Sequence, residues 1–475
     1  MTTHDIDITG PWDLVVVGHG FAGLSAAVSF LETYRGDAPR VAVLDRAKFE
    51  DRGGSTAWTT ANFRLDDTGR LPADFGEIVR KTAGDSANDG YIDNFYANVS
   101  DTLDWVQERG VAIRTTPDAA IPGMFATTHN CFAGGGKDFL QKFESLAERL
   151  GATFFYEVDL VGLERDGAGP VTGVRVRTTE GEHVLPASAV VLASGGFEGD
   201  RAELGRRIPG GETLDTVSAG TRVNTGAGIH AAVAVGAAKA GQYDGTHLEP
   251  VDARSDATEP LVSSWLWGIL VDHNGKRFID EAEHPFDMQF DFVAKAVLAS
   301  GGIAYSIHDA SVAAGAPMLR FVNQTELEPI VADSIRELAQ KLNLSPDSLE
   351  HTVEEYNAAA SDAPYDGTKL DGKHTQGITP PKSHWAQPLT QGPFEAWPVK
   401  AQICFTFEGL KVDDTTHVLD EQGERIPGLY AAGEIVGLFY GDTYPAGTSG
   451  LRSMTFGRIA GRELASEIKA TPAMS

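Results

Sequence analysis

The sequence predicts an α/β fold with a parallel sheet in its first domain. An apolar run from Leu14 to Val17 is long enough for a buried strand, and a glycine turn and a helical pattern follow it directly. A second apolar run, from Val41 to Leu44, has the same character. After a stretch in which apolar and polar residues alternate, residues 189–197 predict another buried strand. Strands that alternate with helices in this order favour a parallel sheet.

The turn between the first strand and the first helix contains three glycines with different structural tasks. Gly18 allows the tight turn, Gly20 lets a pyrophosphate approach the backbone, and Gly23 lets the helix pack closely on the strand. The phosphates would lie at the positive end of the helix. Asp45 ends the second strand, about 20 residues further on, where an acidic side chain holds a ribose hydroxyl. We therefore expect dinucleotide binding, with Asp45 and the adjacent Arg46 in contact with the ligand.

The order of the elements is typical of FAD domains rather than NAD domains. Residues 133–166 predict a glycine turn, an amphipathic helix and a strand, and residues 171–187 alternate as in an antiparallel hairpin. The buried strand at 189–197 then resumes the parallel fold and ends in Ser194 and Gly195. An interruption by such a meander favours FAD as the cofactor. We expect Ser194 and Gly195 to contact the FAD.

A change in composition indicates an inserted domain. The 475 residues are too many for one ordinary core and suggest two or three domains. An alanine-rich helix is predicted within residues 220–245, and the composition changes after it. In the region that follows, Ser345 and Pro346 form an N-cap and a first helical residue. The predicted domains are an FAD-binding domain of residues 1–245 and 386–475 and an α+β capping domain of residues 246–385.

Composition and charge exclude several classes of function. The chain has 39 basic and 67 acidic residues and a net charge of −28, which disfavours binding to nucleic acid or to anionic membranes. Cys131 and Cys404 lie far apart and form neither a metal motif nor a disulfide framework, so we expect no metal. The N-terminus lacks the pattern of a signal peptide, and no apolar run reaches the roughly 18 residues of a membrane span. We therefore expect a cytoplasmic protein.

Short motifs are distributed over nearly the whole chain. In order they are VVVGHGFAGLSAA, RGGSTA, AGGGKDFL, VVLASGGF, NTGAG, NGKRFIDE, LEHTVEEYN, GLYAAGE and FGRIAG. In this order they resemble the flavoproteins of the fumarate reductase, succinate dehydrogenase and 3-ketosteroid dehydrogenase superfamily. The resemblance implies an FAD domain of the glutathione-reductase type with an inserted cap and an active site where the cap meets the flavin. It also implies hydride transfer between flavin N5 and a carbon β to a carbonyl or carboxyl group, with a proton moving at the α carbon.

The resemblance also assigns cofactor contacts by motif position. Val158 would meet the adenine through its backbone, and Glu434 would hold the ribityl chain. The glycine-rich loop after the second strand would line the flavin with Gly54, Ser55 and Thr56. The backbone amides facing the N1/O2 edge of the flavin would be those of Ser449, Gly450 and Leu451. The succinate dehydrogenase branch links its flavin to a histidine just before the hydroxyl residue of this loop, but no histidine occurs there, so FAD is expected to be noncovalent.

The sequence departs from the fumarate reductases where their proton relay lies. Residues 261–271 contain neither a carboxylate nor an arginine, and the following segment DEAEHPFDMQFDF contains no arginine. Fumarate reduction is therefore the lesser alternative. The segments DEAEHPF and GEIVGLFYGDTYPAG resemble the tricarballylate dehydrogenase branch. The tetrapeptide TYPA also resembles the ketosteroid dehydrogenase motif, in which a tyrosine and a nearby amide bind the substrate ketone.

Tyr444 and His247 are the predicted catalytic residues. A phenol beside a glycine turn can polarise a carbonyl and stabilise an enolate, although Tyr444 could instead only pack the turn before Pro445. His247 lies where members of the family place a substrate-binding histidine, and it could bind a carboxylate or a ketone or be purely structural. The sequence does not identify the group that accepts the α proton.

Four further residues are candidates for substrate binding. Arg452 could hold a carboxylate in a bidentate fork, with a helix cap or a surface ion pair as the alternative. His284 is a weaker candidate of the same kind. Trp265 and Trp267 lie in the segment that should overhang the flavin, where packing in the cap core is the alternative for each. Together with two phenylalanines of that segment they predict a pocket more apolar than a tricarboxylate requires.

We therefore expect an FAD-dependent desaturase that removes hydride and a proton from a CH–CH unit beside a carbonyl group. The expected substrate is a small oxo-carbocycle such as an oxocyclohexane carboxylate. The alternatives are a tricarballylate-type dehydrogenase, a fumarate-reductase-like reductase of an activated alkene, and a flavin-binding electron-transfer or assembly subunit without turnover. The electron acceptor stays open among oxygen, a dye or a quinone-like compound.

Overall fold

Strands and helices alternate along most of the chain, as an α/β fold requires. The computed structural model describes residues 11–66, 68–117, 128–284 and 286–468. Its strands are β1 (Leu14–Val17), β2 (Val41–Leu44), β3 (Asn62–Phe63), β4 (Ile113–Pro117), β5 (Thr128–Phe132), β6 (Ala152–Phe155), β7 (Asp159–Arg165), β8 (Val171–Thr178), β9 (Gly181–Pro186), β10 (Val190–Leu192), β11 (Lys239–Ala240), β12 (Thr246–Asp252), β13 (Ile269–Asp272), β14 (Ala304–Asp309), β15 (Ile330–Ala332), β16 (Phe394–Thr406), β17 (Gly409–Leu410), β18 (His417–Leu419) and β19 (Arg425–Ala431). Its helices are α1 (Phe21–Thr33), α2 (Phe75–Ala83), α3 (Asp89–Glu108), α4 (Gly135–Arg149), α5 (Arg201–Arg207), α6 (Ala227–Ala234), α7 (Phe286–Ala299), α8 (Ala310–Gly315), α9 (Leu319–Val322), α10 (Ile335–Lys341), α11 (Pro346–Ala359) and α12 (Ser449–Ile468).

The central sheet has six strands in the order β18-β19-β10-β1-β2-β6. Strand β1 is parallel to both of its neighbours, with Val15 opposite Val190 in β10 and Val16 opposite Val43 in β2. All residues of β1, β2 and β10 are buried, which is the pattern of a parallel sheet covered on both faces. The three strands predicted from apolar runs are thus confirmed, but the third spans only Val190–Leu192 of the predicted residues 189–197. Their carboxyl ends lie at one edge of the sheet, where ligands of such folds bind.

Helix α12 crosses α1 with almost no space between the two backbones. A Cβ atom on Gly457 would lie 2.2 Å from the carbonyl oxygen of Ala22, and one on Gly461 would lie 2.4 Å from that of Ala26. Only glycine fits at such a close approach. The crossing fixes the first turn of α12 relative to the first turn of α1, and both turns line the cavity described below.

A second, antiparallel sheet has the strand order β12-β16-β14-β13, with β15 also paired to β16. The first half of β16 pairs with β14 and β15, and its second half pairs with β12. The register shifts after His247, because His247 lies opposite Phe405 whereas Leu248 lies opposite Ile403. Cys404 is therefore the extra residue of a bulge, a feature that bends a strand and re-aims its side chains. Strand β16 lies beyond the predicted cap boundary at residue 385, and the domain boundaries themselves stay a prediction.

Two local predictions can be compared directly with the structure. The hairpin predicted at residues 171–187 is confirmed, since β8 and β9 pair in antiparallel register. The alanine-rich helix predicted within residues 220–245 is shorter than expected. It spans only Ala227–Ala234, because Gly236 adopts a φ of +97° and turns the chain towards β11. Among the helices of the described residues, none has the length and apolar character needed to cross a bilayer.

Candidate active site

A cavity of about 500 Å³ is lined by residues from the edge of the central sheet and from the second sheet. This volume is typical of a small-molecule or cofactor site. Most of the residues predicted to bind the cofactor line it, namely Gly18, Gly20, Asp45, Arg46, Gly54, Ser55, Thr56, Val158, Ser194, Gly195, Glu434, Ser449 and Gly450. Of the remaining two, Gly23 packs against the glycine turn and Leu451 is buried in α12. Their individual roles stay predictions.

The glycine turn has the geometry that phosphate binding requires. Gly18 has a φ of +117°, and a Cβ atom there would lie 2.2 Å from the carbonyl oxygen of Ala193. A Cβ atom on Gly23 would lie 1.9 Å from the carbonyl oxygen of Gly18. Gly20 caps α1 without a side-chain hydrogen bond and lines the cavity, so the positive end of the helix is open to an anion there. The phosphates of a dinucleotide fit this turn.

Asp45 directly follows β2, and its side chain is only slightly exposed. One oxygen accepts a hydrogen bond from the amide of Ala47 at 2.8 Å and the other from that of Gly53 at 3.0 Å. Burial raises the pKa of Asp45 to about 6, and these hydrogen bonds oppose the rise, so the group is ionised at neutral pH. Burial also lowers the pKa of the neighbouring His19 to about 3, so that imidazole is neutral.

The neighbours of Asp45 have partners within the protein. The guanidinium of Arg46 lies 2.7 Å from a carboxylate oxygen of Asp159 and donates to the hydroxyl of Thr225 at 2.8 Å. The backbone amide of Val158 donates to the carbonyl of Asp45 at 3.1 Å. An adenine contact of Val158 would therefore use its carbonyl group, or its amide would have to exchange this hydrogen bond for one to the adenine.

Glu434 forms a buried pair with Glu198 next to Ser194 and Gly195. Its Oε1 accepts a hydrogen bond from the amide of Thr406 at 3.0 Å, and Glu198 accepts one from Asn224 at 2.7 Å. Burial raises the pKa of both carboxyl groups, and the charge of Glu434 raises that of Glu198 further. Two adjacent carboxylates repel each other, so the arrangement favours the state in which the pair shares a proton. Such a pair can both donate to and accept from a polyol chain.

The hydroxyl of Tyr444 lies at the N-terminus of α12. It accepts hydrogen bonds from the amides of Gly447 at 3.2 Å, Thr448 at 3.3 Å and Ser449 at 3.4 Å. It donates to the hydroxyl of Ser449 at 3.2 Å. Burial raises the pKa of Tyr444 although these amides act in the opposite direction, so the phenol stays protonated. Three amides and one phenol thus converge at a helix N-terminus that lines the cavity.

His247 packs directly on Tyr444, with 4.5 Å between the ring centroids. Its Nε2 lies 3.0 Å from Glu249 Oε1, and its Nδ1 lies 3.7 Å from Asp291 Oδ1. Burial alone would lower the pKa of His247, but the two carboxylates raise it above its ordinary value and thus favour the cationic form of the imidazole. Asp291 also accepts a hydrogen bond from the amide of Leu248 at 2.9 Å, which ties α7 to β12 and fixes the imidazole.

Of the four predicted substrate-binding residues, Arg452 lines the cavity and the other three do not. Arg452 lines the cavity, but its guanidinium donates to the carbonyl of Gly433 at 3.0 Å and lies over the ring of Tyr440 at 4.7 Å. His284 is half-buried beside Phe292, with 4.5 Å between the rings, and does not line the cavity. These contacts do not favour a carboxylate clamp at either residue.

The two tryptophans lie in the core instead of the cavity wall. Both are fully buried; Trp265 donates to the carbonyl of Val262 at 2.8 Å and Trp267 to that of Gly367 at 3.0 Å. Both indole N–H groups thus have hydrogen-bond acceptors among their neighbours, as the alternative of packing in the cap core predicts. The apolar lining comes from other residues, namely Leu261, Phe286, Phe290, Phe321, Val322 and Phe405.

Several polar residues that the sequence analysis did not single out also line the cavity. They are Asn62, Arg114, His129, Glu249, Glu259, Ser263 and Gln324. The sequence could have identified Glu249, because it lies two positions after His247 in a strand and therefore on the same face. The others come from separate segments that only the tertiary fold brings together.

Comparison with known proteins decides the family. The family described as FAD binding domain matches residues 13–451. The chain belongs to this family. The predicted cofactor FAD and the predicted fold class are thereby confirmed, and the glycine turn described above fits the phosphates of FAD. The prediction of an FAD-dependent oxidoreductase acting on CH–CH groups is also confirmed at the level of the family.

Three relatives illustrate the range of activities among similar proteins. The chain is 27% identical over 467 residues to a fumarate reductase (cytochrome) of Shewanella frigidimarina, which covers 95% of the chain and 77% of that protein. It is 29% identical over 333 residues to the 4-oxocyclohexanecarboxylate 2-dehydrogenase of Sinomonas cyclohexanicum, which covers 64% of the chain and 56% of that protein. It is 26% identical over 394 residues to the NADH:acrylate oxidoreductase of Vibrio harveyi, which covers 79% of the chain but only 37% of that protein. The chain is thus similar to both dehydrogenases and reductases.

A solved structure shares the whole fold. The 3-ketosteroid-Δ4-(5α)-dehydrogenase of Rhodococcus jostii RHA1, in complex with 4-androstene-3,17-dione, superposes with a TM-score of 0.70. The superposition covers 98% of this chain and 99% of that chain at 22% sequence identity. At this identity the likeness shows the common fold and leaves the substrate open.

Proposed function

We propose that the protein is a desaturase that removes hydride and a proton from adjacent carbons beside a ketone, with FAD as the hydride acceptor. The proposed substrate is a small oxo-carbocycle that carries a carboxylate, such as 4-oxocyclohexanecarboxylate. The observation that carries the proposal is the position of the Tyr444 hydroxyl among three amides at the first turn of α12. This group lines the same cavity as the residues predicted to hold the flavin.

The arrangement around Tyr444 can bind a ketone oxygen and stabilise its enolate. A protonated phenol donates to the ketone, and amides at a helix N-terminus add donors and the positive end of the helix dipole. In this structure those amides pair with the phenol oxygen, so a substrate oxygen would exchange some of these hydrogen bonds for its own. Stabilisation of the enolate acidifies the α C–H bond, which is the bond that desaturation must break.

The charge of His247 supports the same chemistry. The imidazole lies against the Tyr444 ring, and Glu249 and Asp291 both fix its position and favour its cationic form. A buried positive charge beside the phenol strengthens its hydrogen bond to a developing oxyanion, because electrostatic interactions are strong where water is excluded. The histidine thus acts as an electrostatic support for Tyr444.

The cavity lining favours a carbocycle over a polycarboxylate. Six apolar side chains, three of them phenylalanines of α7 and β16, form a large part of its wall. Two of the arginines that line it, Arg46 and Arg452, already hold protein oxygen atoms. The likeness to a 4-oxocyclohexanecarboxylate dehydrogenase adds to this preference. We also propose that FAD is held noncovalently, since residues 54–56 contain no histidine.

Anaerobic mixing of the holoenzyme with candidate substrates tests the proposal. We expect 4-oxocyclohexanecarboxylate to bleach the absorbance of the oxidised flavin, and tricarballylate and succinate to leave it unchanged. Bleaching by tricarballylate alone would replace the proposal with a polycarboxylate dehydrogenase. Oxidation of chemically reduced enzyme by fumarate, without bleaching by any of the saturated compounds, would replace it with a reductase.

A further inference from the structure

Two carboxylates line the end of the cavity formed by the second sheet. Glu249 is the one residue of β12 that is not fully buried, and its side chain faces the cavity. Glu259 reaches the same cavity from the segment that returns along β12. This segment is held by hydrogen bonds from the amide of Asp252 to the carbonyl of Pro260, at 2.9 Å, and from the amide of Val262 to that of Pro250, at 3.0 Å.

The backbone holds Glu259 in a conformation that a glutamate rarely adopts. Its φ is +55°, in the left-handed region. A residue other than glycine is strained in this conformation. Its amide donates to the carbonyl of Val217 at 3.3 Å, and its carbonyl accepts from the amide of Leu261 at 2.8 Å. Backbone strain of this kind occurs most often where a side chain has to be aimed at a ligand.

The two carboxylates differ in their charge partners. Glu249 is paired with His247, whose Nε2 lies 3.0 Å from Glu249 Oε1. Glu259 faces the like charge of Glu249 from β12 and the thiol of Cys404 from β16. Burial, followed by the charge of Glu249, raises the pKa of Glu259 to about 8. A carboxyl group with a pKa close to the working pH is a much stronger base, once ionised, than an ordinary glutamate.

We propose that Glu259 is the base that accepts the α proton of the substrate. This inference rests on the proposed function and supplies the group that the sequence left unidentified. The α C–H bond breaks, its proton forms an O–H bond with the Glu259 carboxylate, and its electron pair moves into the enolate held by Tyr444. When the enolate collapses, the C=C bond forms and hydride leaves the β carbon for the flavin, which is the oxidant. The substrate thereby loses two hydrogen atoms.

Replacement of Glu259 by glutamine tests this role. Glu259→Gln keeps the shape and the backbone strain but removes the base. We expect flavin reduction by 4-oxocyclohexanecarboxylate to slow by about 10²–10⁴-fold. Substrate affinity, read from the perturbation of the flavin spectrum, should change only a few-fold, and Glu259→Asp should recover part of the rate. The matched control is Glu395→Gln, a half-buried glutamate of β16 that pairs with His308 and does not line the cavity; it should retain the wild-type rate.

The pH dependence distinguishes a base from a structural group. The rate of flavin reduction in the wild type should rise with pH and level off above about 8. The rate in Glu259→Gln should not show this rise. The pKa of Glu259 is higher in the folded chain than its ordinary value of 4.5. Its contribution to the free energy of unfolding is therefore fully present below pH 4.5 and is lost as the pH rises through about 8. Glutamine imitates the protonated carboxyl at every pH, so the wild type should match Glu259→Gln in melting temperature at low pH and fall below it as the pH rises through about 8.

The outcomes separate this inference from the proposed function. If the wild-type flavin is not reduced by 4-oxocyclohexanecarboxylate, both are overturned. If the wild type is reduced and Glu259→Gln reacts at the same rate, only the role of Glu259 is overturned. A slow Glu259→Gln variant that keeps the wild-type pH limb would also contradict the base assignment, because some other group would then be titrating.

Discussion

At the scale of single residues, the hydroxyl of Tyr444 connects the fold to the proposed chemistry. Its position is set by the start of α12, whose amides lie 3.2–3.4 Å from the phenol oxygen. His247 packs on one side of the ring and Phe405 on another, with 4.9 Å between the ring centroids of Phe405 and Tyr444. The ring is therefore held by packing, and the hydroxyl can be removed without moving it.

We expect Tyr444→Phe to slow flavin reduction by about 10²–10³-fold, the usual effect of deleting one donor to an oxyanion. The FAD content should not change, since the ring contacts remain. Anaerobic stopped-flow absorbance measures the rate. Tyr91→Phe is the matched control, because Tyr91 is a fully buried tyrosine stacked on Phe456 at 3.6 Å, away from the cavity. An unchanged rate in Tyr444→Phe would remove Tyr444 from the mechanism.

A second prediction at this scale concerns Asp45. Hydrogen bonds to a charged group contribute about 1.5–3 kcal/mol, so Asp45→Asn should weaken FAD binding by roughly 10–100-fold. Since the pKa of Asp45 is about 6, the wild-type affinity should fall as the pH decreases through 6, and that of the variant should not. Fluorescence titration of apoprotein with FAD measures both effects. Asp93→Asn, an exposed position on α3, serves as the control; equal affinities for all three proteins would contradict the ribose contact.

At the scale of secondary-structure elements, the crossing of α1 and α12 positions the site. The two helices touch backbone to backbone at Gly457 and Gly461. Each helix contributes its first turn to the cavity. A change at the crossing should therefore alter both the stability of the fold and the alignment of two ligand-binding helix ends.

We expect Gly457→Ala to destabilise the fold by about 1–3 kcal/mol, because a methyl group would have to displace the backbone of α1. The purified variant should also contain less FAD. Differential scanning calorimetry and the ratio of flavin to protein absorbance measure the two effects. The control is Gly90→Ala in α3, where an added Cβ atom would meet its nearest neighbour at an ordinary 3.6 Å. Wild-type stability in Gly457→Ala would show that the crossing can relax.

The regular elements could largely be predicted from the sequence. Strands β1 and β2 are short apolar runs next to glycines, and such local patterns determine element type with little tertiary help. The length of α6 could not be predicted in the same way, because the alanine-rich pattern continues past Ala234 whereas the backbone turns at Gly236. The bulge at His247 was not predictable either, since it depends on the register between strands that are distant in sequence.

At the scale of the whole molecule, the two ends of the cavity differ in how far they can be predicted. The cofactor end is built mainly from contiguous motifs, such as the turn at residues 18–23. The substrate end is assembled from β12, the segment of Glu259, α7 and β16. The roles of Trp265 and Trp267 illustrate the difference, because whether an aromatic residue faces a core or a cavity depends on packing that the sequence pattern does not encode.

Binding of FAD should stabilise the whole molecule. A ligand that binds only the folded chain adds about 2.7 kcal/mol at a concentration 100 times its dissociation constant. We therefore expect the melting temperature of apoprotein to rise as FAD is added. If FAD is noncovalent, acid precipitation should leave the yellow colour in the supernatant. Colour that stays with the precipitate would show a covalent link.

Isotopic labelling of 4-oxocyclohexanecarboxylate tests most directly whether the cavity removes hydride and proton from adjacent carbons. With deuterium at the carbons β to the ketone, we expect slower flavin reduction and a product that has lost one β deuterium. With deuterium at the α carbons, we expect the label in the solvent and a slow step that Glu259→Gln slows further. A product that keeps all of its β deuterium, or a rate that neither label changes, would contradict desaturation at this site.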